Sequence, residues 1–312
     1  MRKTLMRLTL RQLQIFRAVC ETRSYSRAAE EMSLTQPAVS LQIRQLEEIL
    51  EQPLFEYVGK KLYLTPAAEA LQMAAGDIFG RLESLDMQLT NLQGSLQGQL
   101  SLTVESSAQY FVPHLFSAFR QQHPDVNLQL TVVNHAQALR RLNISRDELW
   151  LLSQVPTGLA LEFLPFMENH IIAVVAAQHP LCKLGKIKLA DLQKWPLLVR
   201  EIGSGTRQAC EHFCHNKRVH FAQTVQLGSL EAQRQGVLAG LGVALLPRHA
   251  VSHELANGRL VELPVIELPL RHSWCVVYPR DRYLSPVAMA FLEFVKQQQP
   301  ALNALNQKMQ SY

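Results

Sequence analysis

The hydrophobic periodicity of the chain changes once along its length, and that change limits the folds it can adopt. Residues 8–95 carry helical hydrophobic periodicity almost throughout, with one two-stranded interruption, whereas short β-type runs alternate with amphipathic helices from Gln99 onward. The segment Gly94-Ser-Leu-Gln-Gly98 marks the boundary, because two glycines in a polar stretch interrupt regular structure. With 312 residues, we expect an all-α-rich N-terminal domain followed by an α/β domain.

Composition excludes several classes of protein. Apolar residues make up 47% of the chain and charged residues 18%, which is typical of a globular protein and not of a disordered or fibrous one. The net charge of +5 suits a polyanionic partner. Five scattered cysteines argue against a disulfide framework. Because Arg7 and Arg11 interrupt the N-terminal apolar stretch, we predict a cytoplasmic protein without a signal peptide.

Three short helices fit within the first fifty residues. Thr9 is predicted to cap the first helix, Ser24 the second and Thr35 the third, and Pro37 suits the first turn of the third helix. A tight turn separates the second helix from the third. These proportions are typical of a helix-turn-helix motif.

Two rows of side chains recur on opposite faces of the third helix. The inner row is apolar and consists of Val39, Ile43, Leu46 and Leu50. The outer row is polar and consists of Gln36, Ser40 and Arg44. Amide and guanidinium groups match base edges in the major groove, and hydroxyl groups bind phosphates. The outer row therefore predicts a DNA-reading surface, with a plain solvated face as the alternative.

A β-hairpin with a basic tip follows the third helix. Two apolar runs, 55–58 and 62–64, flank the segment Gly59-Lys-Lys61. Lysines at the tip of such a wing are placed to meet phosphates. We therefore predict that Lys60 and Lys61 contact the DNA backbone.

A long helix from Pro66 to about Asn91 carries a heptad row. The row consists of Leu71, Ile78, Leu82, Leu85, Leu89 and Leu92, with Ala75 in the remaining slot. Such a row most simply pairs with the same helix of a second subunit, and packing against its own domain is the alternative. A dimer of two DNA readers implies a pseudo-palindromic operator.

Several short motifs occur in order between residues 8 and 66. They are Phe16-Arg-Ala-Val19, Ser24-Tyr-Ser-Arg-Ala-Ala29, Leu34-Thr-Gln-Pro-Ala-Val-Ser40, Pro53-Leu-Phe-Glu56 and Leu64-Thr65-Pro66. Together they resemble the LysR-type transcriptional regulators. The resemblance implies that the DNA-facing residues are Gln36, Pro37, Ser40, Gln42 and Arg44. The chain departs from this family at Tyr57, where many members have an arginine.

The resemblance also implies the organisation of the whole chain. Residues 1–65 would form a winged helix-turn-helix domain, 66–95 a dimerisation helix, and 96–300 a periplasmic-binding-protein-like effector domain. That domain would comprise subdomain I (96–164 and 269–300) and subdomain II (165–268), with crossings near Leu164-Pro165 and Leu268-Pro269 and a ligand cleft between them. The resemblance implies a homotetramer built from two dimers. It also allows RNA polymerase as a further partner.

The α/β region contains a set of predicted elements. The strands are 100–104, 128–133, 171–175, 197–199 and 274–278, and the helices are 113–122, 207–214, 230–240 and 286–297. Between strand 197–199 and the next helix lies Arg200-Glu-Ile-Gly-Ser-Gly-Thr-Arg207. Its glycines let backbone N–H groups converge on an anion at the start of a helix.

These features predict an anionic effector site. Its residues are Gly203, Ser204, Gly205, Thr206 and Arg207, facing Ser106 and Ser107 at one strand end and Asn134 and His135 at another. Arg207 is the side chain predicted to hold a carboxylate or phosphate with two hydrogen bonds. A glycine turn with a capping hydroxyl is the alternative.

Four segments are similar to one branch of the family, the activators of carbon-fixation (Calvin-cycle, RuBisCO) operons. They are 147–156, 165–169, 179–181 and 200–207. The branch implies a small anionic effector, often a phosphorylated one. The chain departs from the branch at Leu230, where asparagine is usual.

The sequence gives less support for a metal site or a catalytic site. The segment Cys210-Glu-His-Phe-Cys-His215 could bind a metal, but structural zinc requires four ligands in turn-rich geometry, so we predict a helix face and no metal or cofactor. No GxSxG, GxGxxG or Walker motif precedes a helix, so we predict no enzyme activity. The sequence thus indicates a ligand-responsive DNA-binding regulator. A solute-binding protein and an uncharacterised enzyme are the alternatives.

Overall fold

The structure, a computed structural model, describes residues 3–59, 61–91, 96–144, 147–280 and 282–310. The chain divides into two compact units, Met1–Glu83 and Ser84–Tyr312. Within the described ranges, no helix combines the length and the apolar character needed to cross a membrane.

The first unit combines helices with a β-hairpin. Its α-helices and strands are α1 (Leu10–Thr22), α2 (Tyr25–Glu31), α3 (Gln36–Leu50), β1 (Phe55–Val58), β2 (Lys61–Leu64) and α4 (Pro66–Asn91), of which the part up to Glu83 belongs to this unit. The predicted caps of α1 and α2 are confirmed. Gln12 donates its backbone N–H to Thr9 Oγ1 at 3.2 Å, and Arg27 donates its own to Ser24 Oγ at 3.4 Å.

The predicted cap at Thr35 is wrong. Thr35 precedes α3 in an extended conformation, but its side chain makes no capping hydrogen bond to the described first turn. A capping side chain accepts from the second or third N–H of a helix, and Pro37, the second residue, has no N–H to donate. The backbone closes the turn instead, because Val39 N–H donates to Thr35 O at 3.1 Å.

The helix-turn-helix motif is organised around one apolar core. Phe16, Ala28 and Val39, from α1, α2 and α3, are all fully buried in it. The tight turn after α2 places Ser33 at a φ of 54°, and Leu34 N–H donates to Ala29 O at 2.8 Å. Because this core fixes the inner face of α3, it also fixes the face that points outward.

The apolar row of α4 has a buried part and an exposed part. Ala75 is buried and packs, with Phe79, against Leu13 of α1. Leu71 packs against the same cluster. The prediction that Leu71 and Ala75 belong to an intersubunit seam is therefore wrong, because their own unit covers that face. The exposed members of the row, each 40–55% exposed, are Ile78, Leu82, Leu85 and Leu89. Leu92 lies outside the described residues.

The second unit is built on one mixed sheet. Its strands are β3 (Gly98–Glu105), β4 (Val126–Val133), β5 (Leu149–Leu152), β6 (Leu161–Ala176), β7 (Leu197–Val199), β8 (Thr224–Gln226), β9 (Val243–Pro247), β10 (Leu260–Glu262) and β11 (Leu270–Pro279). Its α-helices are α5 (Val112–Gln122), α6 (His135–Ile144), α7 (Gly205–Asn216), α8 (Leu230–Leu238), α9 (Ser252–Ala256) and α10 (Pro286–Gln310). The strand order is β4-β3-β5-β11-β6-β9-β7-β8, and β10 pairs with β6.

The long strands β6 and β11 divide this sheet into two lobes. The first lobe contains β3, β4 and β5 with α5, α6 and α10, and its largest core includes Trp274 and Phe291. The second lobe contains β7 to β10 with α7, α8 and α9, and its cores include Leu245 and Leu246. Strand β6 pairs with β11 along one part of its length and with β9 along the other, so the same strand serves both lobes.

The residues predicted at the crossings lie on or beside these strands. Leu164-Pro165 pairs with Val276 and Cys275 inside the β6–β11 ladder, and Leu268-Pro269 immediately precedes β11. Each predicted strand coincides with an observed one, but 171–175 is only the end of β6. The sequence does not predict β5, β8, β9 or β10, because runs of three to five residues carry too little periodicity.

Candidate functional site

The outer face of α3 presents polar side chains to solvent. Gln36 and Arg44 are exposed, Ser40 is half-buried, and Gln36 Nε2 donates to Ser40 Oγ at 3.0 Å. On the opposite face, Val39 and Ile43 are buried in the core. The arrangement offers amide, hydroxyl and guanidinium groups along one helix edge.

The other residues predicted to face DNA lie at different depths. Pro37 is exposed, whereas Gln42 is half-buried. In the hairpin, Lys61 is exposed and pairs with Val58, and Lys60 lies outside the described residues. Tyr57, at the position where the family often has arginine, is 66% exposed.

The predicted effector residues collect at one edge of the first lobe. Strands β4 and β5 both run parallel to β3, so the carboxyl ends of the three strands meet at the same edge. Glu105 ends β3, Asn134 follows β4, and Ser153 follows β5. The second lobe contributes the segment between β7 and α7. The structure therefore brings together the three predicted walls, 106–107, 134–135 and 203–206.

A buried carboxylate lies at the centre of this edge. The Glu105 side chain is only 3% exposed. Its Oε1 lies 2.8 Å from His135 Nδ1 and accepts the Ser153 N–H at 3.1 Å, and its Oε2 accepts from Ser153 Oγ at 2.7 Å. His135, predicted as an effector ligand, is thus engaged with the protein's own carboxylate.

The start of α7 approaches this carboxylate closely. A Cβ atom added to Gly205 would lie 3.0 Å from Glu105 Oε2, and one added to Gly203 would lie 3.0 Å from Ala136 Cβ. Gly203 also has a φ of 90°, which side chains other than glycine rarely adopt. Glycine at these two positions therefore lets the second lobe touch the first.

The polar residues around these glycines are used within the protein. Ser204 is buried and its Oγ accepts the Arg207 N–H at 3.4 Å, which caps α7. Thr206 is also buried. Asn134 forms a reciprocal cap with Gln137 at the start of α6, with both hydrogen bonds at 3.0 Å.

Arg207 is already engaged within the second lobe. Its Nη1 donates to Arg200 O and to Gln226 Oε1, both at 2.8 Å, and its Nε donates to Glu211 Oε1 at 2.6 Å. It also lines a cavity of about 420 Å³ between α7, β7 and β8, where Cys214 and Phe221 form part of the wall. Arg207 remains a predicted anion ligand, but its guanidinium would have to give up or share its hydrogen bonds to Glu211 one turn later and to Gln226 on β8.

Arg200 is the arginine that reaches the first lobe. Its side chain is only 3% exposed, and its Nη2 donates to Ser106 Oγ at 2.9 Å. Two further hydrogen bonds join it to Glu201. Its Nη1 is buried and has no hydrogen-bond partner among the described residues. Sequence reasoning missed Arg200 and Glu105, although a charged residue directly after an apolar strand could have revealed both.

A second contact between the lobes involves Ser107 and His249. His249 Nε2 donates to Ser107 O at 2.9 Å, and its ring lies edge-on to Phe111 and Trp274. Burial lowers the pKa of His249 to about 4, so the ring is neutral near pH 7. Tyr110, from the first lobe, packs against the apolar core of the second.

The crossing strands place two more polar groups beside this site. Asn169 on β6 pairs with His272 on β11. Asn169 Oδ1 and His272 Nε2 are buried without a hydrogen-bond partner in the described parts of the chain. Burial lowers the pKa of His272, and the charge of Glu105 opposes that shift. Buried polar groups are normally satisfied, so these atoms mark a place where a ligand could bind.

Three further residues named from the sequence, Leu230, Cys210 and Cys214, are buried. Leu230 is buried in the apolar core beneath α8. Cys210 and Cys214 are buried on α7, and burial raises the pKa of the Cys214 thiol to about 11. No group of three or more His, Cys, Asp or Glu side chains suited to a metal ion occurs among the residues that the structure describes.

Comparison with family models covers both units. Residues 10–69 match the bacterial regulatory helix-turn-helix protein of the lysR family, and residues 93–300 match the LysR substrate binding domain. Together the two models span most of the chain.

Two similar proteins are transcriptional regulators by name. The HTH-type transcriptional activator CmpR of Synechocystis sp. is 39% identical over 287 residues, which cover 92% of this chain and 94% of that protein. The RuBisCO operon transcriptional regulator of Acidithiobacillus ferrooxidans is 40% identical over 287 residues, which cover 92% of this chain and 93% of that protein.

Solved structures agree in fold. The regulatory domain of Synechocystis CcmR, in complex with 2-PG, is 30% identical, with a TM-score of 0.62 over 66% of this chain and 100% of that chain. CbnR, a LysR family regulator, is 20% identical, with a TM-score of 0.64 over 94% of this chain and 99% of that chain. The chain belongs to the LysR family of bacterial transcriptional regulators.

Proposed function

We propose that this protein regulates transcription by binding operator DNA through α3 and the hairpin. The observation that carries the proposal is the polar row of Gln36, Ser40 and Arg44 on the outer face of a helix whose inner face is buried. Hydrogen-bonding groups in this order suit base edges and phosphates in a major groove. Lys61, which is exposed on the hairpin, carries a positive charge suited to phosphates.

We further propose that two copies pair through α4. Four large apolar side chains of this helix, 40–55% exposed, support this: Ile78, Leu82, Leu85 and Leu89. Their spacing of three and four residues matches a coiled-coil seam. A symmetric dimer would present two α3 helices to a pseudo-palindromic site. A homotetramer, and contact with RNA polymerase, follow only by analogy with the family.

The proposed effector is a small phosphorylated anion. CcmR, a relative, is known with 2-PG bound to its regulatory domain, and relatives similar over most of their length are regulators of the RuBisCO operon by name. The buried donor at Arg200 and the glycine-rich start of α7 are groups that recognise anions. We place the effector in the cleft lined by Ser106, Gly203 and Gly205.

The DNA half of the proposal is tested by fluorescence anisotropy. The full chain is titrated onto a labelled duplex from the region upstream of its own gene, at several salt concentrations, with an unrelated duplex of equal length as the control. We expect tighter binding to the upstream duplex and an affinity that falls with salt. Equal affinity for the two duplexes would remove the sequence-reading role.

The effector half is tested by isothermal titration calorimetry. The full chain is titrated with 2-phosphoglycolate and with 2-phosphoglycerate, and with glycolate as the matched compound that lacks the phosphate. We expect saturable binding of a phosphorylated compound and none of glycolate. Binding of glycolate with equal affinity would show that the phosphate is not recognised.

A further inference from the structure

The carboxylate of Glu105 is held by one lobe and presented to the other. Its partners, His135 and Ser153, belong to the first lobe and engage both of its oxygens. In the second lobe it faces Gly205, the first residue of α7, where a Cβ would lie 3.0 Å from Oε2. The N-terminus of a helix carries partial positive charge, so a buried negative charge faces it across the cleft.

Hydrogen bonds between the lobes surround this contact. Ala136 N–H donates to Gly203 O at 3.0 Å, and Gln154 Nε2 donates to Gly205 O at 3.3 Å. On the other side, Arg200 Nη2 donates to Ser106 Oγ at 2.9 Å. The protein's own groups therefore join the lobes at the place where the sequence predicts an anion.

We propose that Glu105 is a built-in anion that holds the lobes together, and that an anionic effector binds by displacing its carboxylate. The identity of the displacing anion rests on the proposed function, whereas closure by Glu105 rests on the contacts alone. Two negative charges a few ångströms apart in a buried site repel strongly. A phosphate brought to the start of α7 therefore drives Glu105 away, and Arg200 Nη1 offers the incoming anion a buried donor.

Hydrogen exchange at the Ala136 amide reports closure directly. Ala136 is the second residue of α6, so its N–H has no acceptor within the helix, and its bond is to Gly203 O in the other lobe. Exchange is measured on the full chain by mass spectrometry with fragmentation to single amides. We expect Glu105→Ala to exchange at Ala136 about tenfold faster than the unsubstituted protein.

The matched control is Glu293→Gln, because Glu293 is an exposed carboxylate on α10. We expect this substitution to leave the exchange rate of the Ala136 amide unchanged. An unchanged rate in Glu105→Ala would overturn the proposal. If Glu105→Ala does not fold, as judged by circular dichroism, Glu105→Gln replaces it. That variant keeps an oxygen acceptor for Ser153 but lacks the charge, so a rate equal to that of the unsubstituted protein would again overturn closure by charge.

Displacement is tested on the same proteins by adding 2-phosphoglycolate. We expect it to slow Ala136 exchange in Glu105→Ala, and to bind that variant about tenfold more tightly than the unsubstituted protein, because no carboxylate competes. Weaker binding to the variant would overturn displacement. Fast exchange that no phosphorylated compound slows would refute the effector class of the proposed function and leave closure by Glu105 supported.

Discussion

On α3, the polar side chains proposed to meet DNA are exposed or half-buried above an apolar core. Around Glu105, by contrast, the polar side chains are mostly buried and bonded to one another. Gln36 and Arg44 are exposed, but Glu105, Arg200 and Ser204 are each at most 3% exposed. A partner of α3 can therefore bind without rearranging the core beneath it. A ligand of the cleft must exchange existing contacts for new ones, which links its binding to the placement of the lobes.

The outer face of α3 and the cleft around Glu105 are supported by separate apolar cores. The substitution with the largest expected effect on stability tests whether these cores unfold separately. Phe16 is fully buried under α3 and contacts Phe55. Replacing Phe16 by Ala leaves a cavity, and we expect the free energy of unfolding of the first unit to fall by about 3–5 kcal/mol. DNA affinity, measured by anisotropy, should then be lost at temperatures that the unsubstituted protein tolerates.

Tryptophan fluorescence reports the second unit during the same experiment, because all three tryptophans, Trp150, Trp195 and Trp274, lie in it. We expect the urea midpoint of this fluorescence to stay unchanged in Phe16→Ala. Leu10→Ala is the matched control, since Leu10 is exposed on the same helix. A fluorescence midpoint that moves with DNA affinity would show that the two units unfold together.

A change of pH should affect the second unit through His249. Burial lowers the pKa of this ring from 6.5 to about 4, so the folded form stays neutral where the unfolded chain takes up a proton. Stability is therefore highest above pH 6.5 and falls as the pH drops toward 4, by about 3 kcal/mol in all for this group. The measurement is the free energy of unfolding in urea, followed by tryptophan fluorescence, from pH 7 to pH 4.5.

A matched pair of variants isolates this contribution. His249→Gln keeps an N–H donor for Ser107 O but does not titrate, so its stability should fall less steeply with acid. His114→Gln, at an exposed histidine on α5, should keep the slope of the unsubstituted protein. Equal slopes for the His249 variant and the unsubstituted protein would contradict a neutral buried ring.

The difference between the regions also explains what the sequence could predict. The two faces of α3 follow from spacing within fifteen residues, so local periodicity predicts them. The cleft segments 106–107, 134–135 and 203–206 are also predictable, because each follows a strand. The role of Glu105 is not, since it depends on Ser153 and Gly205, which are 48 and 100 residues away and which only the folded sheet brings near.

Sequence specificity on α3 should change without loss of fold. Gln36 contacts Ser40 and solvent, so Gln36→Ala leaves the core intact and removes one base-reading amide. We expect discrimination between operator and unrelated DNA to fall by about 1–3 kcal/mol, measured as the ratio of two anisotropy affinities. Gln52→Ala, at an exposed glutamine beyond the other end of α3, should leave that ratio unchanged. An equal loss in both variants would mean that the row does not read bases.

The smallest effect is expected from substitution of Arg207. This prediction distinguishes Arg207 from Arg200, the other arginine of the segment 200–207, which bonds to the first lobe. The Arg207 side chain bonds to Arg200 O, Gln226 and the exposed Glu211, and partly exposed ion pairs of this kind contribute about 0–1 kcal/mol. We therefore expect Arg207→Ala to lower stability by no more than this and to change effector affinity less than threefold. Lys217→Ala, at the exposed end of α7, is the control for loss of a positive charge. If Arg207→Ala abolishes effector binding in calorimetry while its urea midpoint is unchanged, the guanidinium must leave Glu211 and Gln226 to hold the anion, and the cleft would extend toward β8.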